Sequence, residues 1–243
     1  MNPVIQEKKR TNHRFLPIVA GLFLCISTYA QATLLVCIPG KQNAQQVQSG
    51  FDGLIGAGKA MAFGRIKDLD ATLAASPDAA IIASEPFFTY APGYKIALSG
   101  KAGSSTGEKY HIVAASREIT IQNIGEKKVG IVDFLGKDRL PLFIKDQFGV
   151  EIKMLKRANK EEDLLTMIGM EAVDAIIISA SQFKEIQSNT KLPLAIVASS
   201  LKTIGFASYG QKEGKEDENQ KKALLKTPAP LLKEIGIEGW EPR

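Results

Sequence analysis

Two kinds of hydrolytic chemistry can be compared with the residues that this chain offers. A serine hydrolase needs a serine, a histidine and an acid in contact, but after residue 32 the only histidine is His111, beside Tyr110 in a predicted strand. A glycosidase needs two carboxylates across a cleft, and Glu85 with Asp133 or Asp138 could be arranged so. Asp138 is explained as a helix cap and Asp133 as a loop residue, which leaves only Glu85 without a structural role. Because no motif supplies all the roles of a catalytic site, we expect no enzymatic activity.

A glycine-rich stretch, Gly53–Ala60, resembles a phosphate-binding P-loop. That motif requires Ser or Thr directly after its lysine to hold magnesium, and here Ala60 follows Lys59. It also requires a buried strand before the glycines, whereas residues 45–49 are polar. We therefore interpret the stretch as a packing turn of small residues and expect no nucleotide there.

Metal-ligating residues are scarce after residue 32. Cys37 and His111 are the only cysteine and histidine there. Cys37 lies in the apolar run Leu34–Ile38, where a thiol behaves as a small hydrophobe. We expect neither a zinc or copper cluster nor a disulfide, and no cofactor.

The elements that would position a site are clearest in Lys127–Val150. Val129–Val132 is a short apolar run, typical of a strand buried on both faces. Asp133–Lys137 breaks the pattern, Asp138 is a good N-cap, and Pro141 falls in the first turn of a predicted helix. In an open α/β sheet, ligands usually bind in such a loop, outside the carboxyl end of the strand.

Predicted strands alternate with helices twice, in residues 33–98 and again in 110–198. Alternation favours parallel sheets covered by helices. The sequence therefore predicts an α/β fold of two lobes with a cleft between them. Lobe one would contain residues 33–107 and 199–243, and lobe two residues 108–198.

Aromatic and polar residues cluster in the loops that follow predicted strands, at 41–43, 84–90, 134–139 and 179–182. Ligand pockets are mostly apolar, with a few well-placed polar groups. The candidate walls are Phe87, Phe88, Tyr90 and Phe134, and the candidate polar contacts are Gln42, Asn43, Ser84, Glu85, Lys137, Arg139, Ser179, Ser181 and Gln182. Each aromatic ring has the alternative of a place in a lobe core, and each hydroxyl that of a helix cap.

The first 32 residues have the pattern of a cleaved signal peptide. A basic segment ending at Arg14 precedes the apolar run Phe15–Ile26, and Ala30–Ala32 has the A-x-A form of a cleavage site. The apolar run is shorter than the ~20 residues that span a bilayer. We expect export to the periplasm and a mature chain that begins at Thr33.

The charge of the chain comes largely from this leader. The whole sequence has a net charge of +5, but residues 1–32 contain four basic residues and one acidic residue, so 27 basic and 25 acidic residues remain. A nucleic-acid-binding protein would need a basic cluster on its folded part. We expect no nucleic-acid partner.

Four segments together resemble the periplasmic phosphate/phosphonate-binding proteins of ABC transporters. They are Glu108–Val113 (EKYHIV), Glu126–Asp133 (EKKVGIVD), Met170–Ala175 (MEAVDA) and Leu231–Pro242 (LLKEIGIEGWEP), in this order along most of the chain after residue 32. The resemblance implies a type 2 periplasmic binding protein fold, with Tyr110 in a strand that crosses between the lobes and faces the ligand. It also implies a monomer that carries a small molecule to membrane transporter subunits.

The chain departs from that family after the strand Val129–Val132. Phosphonate binders have a Ser-rich turn there, whose hydroxyls and following helix N-terminus hold the anion. This chain has Phe134, Leu135, Gly136, Lys137 and Asp138 instead. A carboxylate at the helix N-terminus would compete with a bound anion, although Lys137 and Arg139 offset its charge. We expect poor binding of simple phosphonates and a more apolar ligand.

A second function fits the same fold. An accessory or sensory interaction module would carry no small molecule. A carrier keeps a concave site with converging polar groups, whereas an interaction module would fill the cleft or expose an apolar patch.

Overall fold

The structure is a computed structural model that describes residues 33–40, 43–189 and 192–243. The predicted signal peptide and Gln42 lie outside these residues. Within the described ranges, no helix is both long enough and apolar enough to cross a membrane.

The described chain alternates strands and helices. In chain order the elements are β1 (Leu34–Cys37), α1 (Ala44–Ile55), β2 (Ala60–Phe63), α2 (Ile66–Ala75), β3 (Ala80–Ser84), α3 (Glu85–Thr89), β4 (Tyr94–Lys101), β5 (Gly107–Glu108), β6 (Tyr110–Ala114), a 3-10 turn (Ile124–Glu126), β7 (Lys128–Val132), α4 (Arg139–Phe148), β8 (Met154–Ala158), α5 (Glu161–Gly169), β9 (Ala175–Ser179), α6 (Ala180–Asn189), β10 (Ala195–Ser199), β11 (Ile204–Gly205), β12 (Ala207–Lys212), α7 (Glu218–Leu224), α8 (Ala229–Glu234) and β13 (Gly239–Pro242).

Lobe one is built on a six-stranded sheet with the order β13-β4-β12-β3-β1-β2. β1 pairs in parallel with β2 and β3, and β12 runs antiparallel between β3 and β4. All four residues of β1 are fully buried, because successive side chains point to opposite faces and both faces are covered. Leu34 and Val36 pack with α1, whereas Leu35 and Cys37 face the other side, toward lobe two.

Lobe two is built on a five-stranded sheet with the order β10-β6-β9-β7-β8. β7 pairs in parallel with β8 and β9, and β6 runs antiparallel to β9 and β10. Val129–Ile131 of β7 and all of β9 are buried, with apolar clusters on both faces of the sheet. The α/β fold with two lobes that the sequence predicts is therefore confirmed.

The chain passes between the sheets twice, and the two passages pair with each other. β5 leads from lobe one into lobe two, β11 leads back, and the two form an antiparallel pair in which Gly107 is opposite Gly205. We call this pair of short strands, which lies beside the gap between the lobes, the hinge. The position of the hinge leads us to propose residues 33–107 with 199–243 as lobe one and 108–198 as lobe two.

Some elements differ from those that the sequence predicts. The predicted loop 84–90 forms the short helix α3, because Pro86 is tolerated in a first helical turn and Phe87 finds a fully buried place. The predicted loop after Ser179 is the start of α6. The segment Gly236–Arg243, which the sequence predicts to be a tail without secondary structure, contains β13. The sequence predicts a strand at Glu151–Leu155, but β8 begins three residues later, at Met154, because it is largely exposed and lacks an apolar run to mark it.

The caps of three helices also differ in detail from expectation. Asp138 precedes α4 as predicted, but its side chain makes no capping hydrogen bond. The sequence also predicts that Asn159 caps a helix over Lys160–Met170, but Lys160 is the residue that precedes α5, again without a side-chain cap. Asn43 caps α1 by accepting a hydrogen bond from the backbone N–H of Gln46 at 3.3 Å.

The hinge has no room for a side chain at Gly107. A Cβ there would lie 2.4 Å from the carbonyl oxygen of Ile204 and 2.9 Å from the Cα of Gly205, both backbone atoms that cannot rotate away. We expect Gly107→Ala to lower the free energy of unfolding by about 1–3 kcal/mol, measured by urea denaturation. Gly53→Ala is the matched control, because Gly53 lies in α1 with open space around it. That control should be neutral or stabilising by about 0.5–1 kcal/mol, and equal losses in both variants would contradict the close approach.

Candidate functional site

A cleft of about 90 Å³ lies between the lobes beside the hinge. Its walls come from the carboxyl ends of β1, β3, β7 and β9, from the hinge, and from the first turns of α5 and α6. The lining residues are Ile38, Pro39, Ser84, Glu108, Tyr110, Ile131, Val132, Phe134, Glu161, Ile177, Ser179, Gln182, Ile204, Gly205, Phe206, Ala207, Ile235 and Gly236. Ligands of α/β proteins bind at such strand ends, although drug-sized ligands occupy larger pockets of ~300–1,000 Å³.

Aromatic rings form one wall of the cleft. The rings of Tyr110 and Phe134 lie 6.0 Å apart at a tilt of 42°, and Phe143 packs edge-on against both, at 6.1 and 5.2 Å. Burial raises the pKa of Tyr110 well above its ordinary value, and the nearby carboxylates of Glu108 and Glu161 raise it further. The phenol is therefore protonated at neutral pH and can donate a hydrogen bond.

The first turn of α6 meets the hinge through Glu108. One carboxylate oxygen of Glu108 accepts a hydrogen bond from the backbone N–H of Ser181 at 2.8 Å, and the other accepts from the Ser181 hydroxyl at 3.1 Å. The hydroxyls of Ser179 and Ser181 are 2.9 Å apart. These hydrogen bonds hold the Glu108 side chain in the wall of the cleft, at the N-terminus of α6.

A second carboxylate, that of Glu161, is held by the side-chain amide of Gln182. Gln182 accepts a hydrogen bond from the backbone N–H of Ser179 at 2.8 Å and donates its side-chain N–H to Glu161. Glu161 is the first residue of α5. Gln182 therefore joins the first turns of α5 and α6 across the cleft floor.

Ser84 contributes a hydroxyl from lobe one. Its Oγ is buried and has no hydrogen-bond partner among the described residues, although Ser84 stands at the N-cap position of α3. A buried hydroxyl without a partner costs about 1–3 kcal/mol. This cost makes Ser84 a candidate contact for a ligand group in the cleft.

The outer half of the gap between the lobes is filled by side chains. The guanidinium of Arg139 in α4 lies 2.5 Å from the carboxylate of Asp70 in α2 and 4.8 Å from the centre of the Phe87 ring. The Tyr90 hydroxyl donates to Asp146 of α4 at 2.7 Å. These contacts join lobe one to lobe two. We call the five residues that make them the clasp: Asp70, Phe87, Tyr90, Arg139 and Asp146.

The clasp borders an apolar cluster that both lobes share. Leu35, Ile66 and Phe87 of lobe one belong to the same buried cluster as Leu135 and Leu140 of lobe two. The lobes are thus packed together on this side, and the cleft is what remains open near the hinge.

The structure brings together some of the residues that the sequence proposes for the site. Ser84, Tyr110, Phe134, Ser179 and Gln182 all line the cleft. Ser181 lies directly behind Ser179 and holds Glu108.

Other proposed residues lie elsewhere. Phe87, Tyr90 and Arg139 belong to the clasp, Phe88 is buried in the lobe core, and Asn43 caps α1. Glu85 forms an ion pair with Arg243 at 2.9 Å, and Lys137 lies in an exposed loop at the outer mouth of the gap. Gln42 lies outside the described residues.

Sequence reasoning missed the two carboxylates Glu108 and Glu161. A signal was present for each: Glu108 is two residues before Tyr110 in the crossing segment, and Glu161 opens the helix after a strand. Both therefore belong to segments that an α/β fold places at the cleft edge of its sheet.

The motifs that suggested other chemistries have structural explanations. Gly53–Ala60 lies at the end of α1 and leads into β2, so it follows a helix where a P-loop must follow a strand. Sequence reasoning found no nucleophile elbow and so missed Gly103–Gly107, which reads G-S-S-T-G and matches that pattern. The structure places this stretch in a turn between β4 and β5, where Ser105 donates to the Gly107 carbonyl at 2.5 Å. Burial raises the pKa of Cys37 to about 12, which keeps its thiol protonated. No group of three or more metal-binding side chains occurs in the described part of the chain.

Solved structures match this chain over most of its length. The Xanthomonas citri protein XAC2383 bound to ATP has 9% identity and a TM-score of 0.63, covering 87% of this chain and 92% of its own. A binding protein component of an ABC phosphonate transporter from Pseudomonas aeruginosa has 12% identity and a TM-score of 0.60, covering 88% and 82%. PhnD1 from Prochlorococcus marinus in complex with methylphosphonate has 10% identity and a TM-score of 0.58, covering 87% and 93%.

No family model matches the sequence, and no curated protein matches it at a significant level. The likeness to solved structures establishes the fold, which is that of the type 2 periplasmic binding proteins. Phosphonate-binding proteins are among its structural neighbours.

The clasp should hold the lobes together. Replacing Arg139 with Ala removes its ion pair with Asp70 and its contact with the Phe87 ring, so we expect the lobes to separate and the radius of gyration to rise in small-angle X-ray scattering. Arg65→Ala is the matched control, because Arg65 pairs with Asp68 within lobe one at 2.8 Å. An unchanged scattering profile for Arg139→Ala would show that the shared apolar cluster alone keeps the lobes in contact.

Proposed function

We propose that this protein is an exported solute-binding protein that captures a small molecule in the periplasm and delivers it to the membrane subunits of an ABC transporter. The observation that carries the proposal is the cleft itself, where polar groups from both lobes converge beside a hinge of two short strands. Ligand binding between two lobes joined in this way closes or opens them around the hinge. The fold shared with solute-binding proteins supports the same role, and we propose a monomer.

The binding residues in this proposal are those of the cleft wall. Ser84, Tyr110 and Ser179 supply hydroxyls, and Phe134 supplies an apolar face. We assign no catalytic role to the cleft. His111, the one histidine of the described residues, forms a hydrogen bond with the Ser199 hydroxyl at 2.9 Å and does not line the cleft.

We further propose that the ligand is not a simple phosphate or phosphonate. The helix N-terminus is the usual donor of anion sites, and the first turn of α6 already bonds Glu108. In the loop after β7, the backbone N–H of Gly136 donates to Asp133 at 2.8 Å. The described lining residues include no lysine or arginine, and Ile131 and Ile177 add apolar surface that suits a ligand with a hydrophobic body.

A sensory or accessory module is the second candidate function. The clasp and the shared apolar cluster favour it, because they fill the outer half of the gap between the lobes. Such a module would act on partner proteins through contacts at its surface and would bind no small molecule.

Native mass spectrometry of the protein purified from its own periplasm tests the first function against the second. We expect a retained small molecule that is released on denaturation, together with a scattering profile that changes when the molecule is removed and restored. The interaction module would be favoured if the protein retains no small molecule and its scattering profile stays the same when each fraction of a periplasmic extract is added.

Calorimetry tests the proposal about anions. We expect phosphate and methylphosphonate to bind with dissociation constants above ~100 μM. The cleft lacks the charge-assisted hydrogen bonds that a Ser-rich turn and a free helix N-terminus would donate to the anion, and each is worth roughly 1.5–3 kcal/mol. Asp138→Ser should change little, because Asp138 does not line the cleft. Micromolar binding of either anion by the unaltered protein would contradict the proposal.

A further inference from the structure

Two side-chain hydroxyls of the cleft wall make no hydrogen bond with the described residues. The Oγ atom of Ser84 is buried and has no partner. The phenol of Tyr110 has none either, since the hydrogen bonds between Tyr110 and Ser200 use only the backbone of Tyr110. Both groups are O–H donors without an acceptor, and a donor left unused in a site shielded from water is costly.

The two hydroxyls belong to opposite lobes. Ser84 is the last residue of β3 in lobe one, and Tyr110 is the first residue of β6 in lobe two. Both line the same space of about 90 Å³, and a serine hydroxyl turns about a single bond to meet a group that enters such a space. A carbonyl oxygen has two lone pairs and accepts two hydrogen bonds. One ligand carbonyl in the cleft can therefore accept hydrogen bonds from both lobes.

The other polar side chains of the cleft already bond each other. Ser181 donates to both oxygens of the Glu108 carboxylate, and Gln182 bonds the backbone N–H of Ser179 and the carboxylate of Glu161. The remaining lining side chains are mostly apolar. The two unpaired hydroxyls therefore mark the place where the polar end of a ligand would bind.

The charges around the cleft favour an uncharged ligand. The described lining residues include no lysine or arginine to pair with an anion. Glu108 and Glu161 are partly exposed, and ion pairs that water reaches are worth little. An anion or a cation therefore gains little from the wall, whereas a carbonyl group gains two hydrogen bonds without carrying a charge.

Together these observations lead to one ligand class. Resting on the function proposed above, we propose that the cleft binds a small uncharged carbonyl compound, such as an amide, whose oxygen accepts hydrogen bonds from Ser84 and Tyr110 and whose apolar part packs on Phe134. An oxygen shared by the two lobes also couples the ligand to the hinge, because both hydrogen bonds exist only while the lobes are close. The small volume restricts the ligand to few heavy atoms unless the lobes move apart.

Ligand-observed NMR titration tests the charge of the ligand on the protein purified from the periplasm, after denaturation and refolding to release retained solute. The probes share one branched skeleton of carbon atoms: isobutyramide is uncharged, isobutyrate is an anion and isobutylammonium is a cation. We expect isobutyramide to bind with a Kd below ~10 mM, and each charged probe to bind at least about tenfold more weakly. Equal affinities for isobutyramide and either charged probe would overturn the inference.

Variants locate the contact with the carbonyl oxygen. Tyr110→Phe and Ser84→Ala each remove one hydroxyl and should weaken binding of isobutyramide by about three- to tenfold, the range expected for one hydrogen bond. Ser188→Ala is the matched control, because the exposed Ser188 hydroxyl of α6 donates to the Glu185 carbonyl at 2.7 Å, and it should bind like the unaltered protein. If Ser84→Ala does not fold, as judged by circular dichroism, Tyr110→Phe decides the question, since it removes a single oxygen atom.

The outcomes separate this inference from the proposed function. If the solute retained in native mass spectrometry is charged, or if isobutyramide binds both hydroxyl variants as it binds the unaltered protein, the inference is wrong and the solute-binding role stands. If no probe binds and the retained solute is an uncharged carbonyl compound, titration of that solute into the same variants decides in place of isobutyramide. If no probe binds and no solute is retained, both are wrong.

Discussion

The contact between Glu108 and the first turn of α6 is the interaction on which the cleft depends. Glu108 belongs to the hinge strand β5, so its two hydrogen bonds to Ser181 tie the hinge to lobe two. The same contact satisfies a backbone N–H that would otherwise be available to an anion. It also keeps a negative charge beside Tyr110. The same contact therefore both connects the hinge to lobe two and places the Glu108 carboxylate in the cleft.

The clasp adds an energetic condition to any movement of the lobes. Separating them breaks the pair of Arg139 and Asp70, which is partly exposed and worth about 1 kcal/mol or less. It also removes Arg139 from the Phe87 ring, about 0.5–1 kcal/mol more, and exposes part of the shared apolar cluster. A ligand shifts such an equilibrium only by its difference in affinity for the two states. If the protein is a carrier, separating its lobes to release the solute would thus cost a few kcal/mol. If it is a module without a ligand, its lobes would stay closed.

Much of the fold could be predicted from the sequence, because its signals are local. The apolar runs of β1, β7 and β9 mark strands that are buried on both faces, and the alternation of strands and helices gives the two lobes. β13 escaped prediction, and the strand β8 was predicted three residues too early, because edge strands need no apolar run. α3 escaped because Ser84 and Pro86 look like loop residues until the buried place of Phe87 is known.

The site was harder to predict, because it depends on which side chains face each other across the lobes. Ser84, Tyr110, Phe134 and Ser179 follow from their places at strand ends. The partners of Arg139 and Tyr90 come from the opposite lobe, more than 50 residues away in the sequence, and no local pattern announces such pairs. From the sequence alone, Arg139 and Tyr90 therefore looked as available for a ligand as the residues that line the cleft.

The two acids of the cleft, Glu108 and Glu161, illustrate how one fold can carry different groups at the same place. Packing tolerates wide substitution while volume and pattern are kept, so identities of 9–12% are compatible with one fold. Function depends on a few groups grafted onto that fold. An acid near a helix N-terminus stabilises the helix by about 0.3–1 kcal/mol with or without a ligand. Glu161 in α5 and Glu108 at α6 therefore stabilise the ends of these helices whether or not a ligand is present, and the hydrogen bonds from Ser181 to Glu108 occupy donors that an anion would otherwise use.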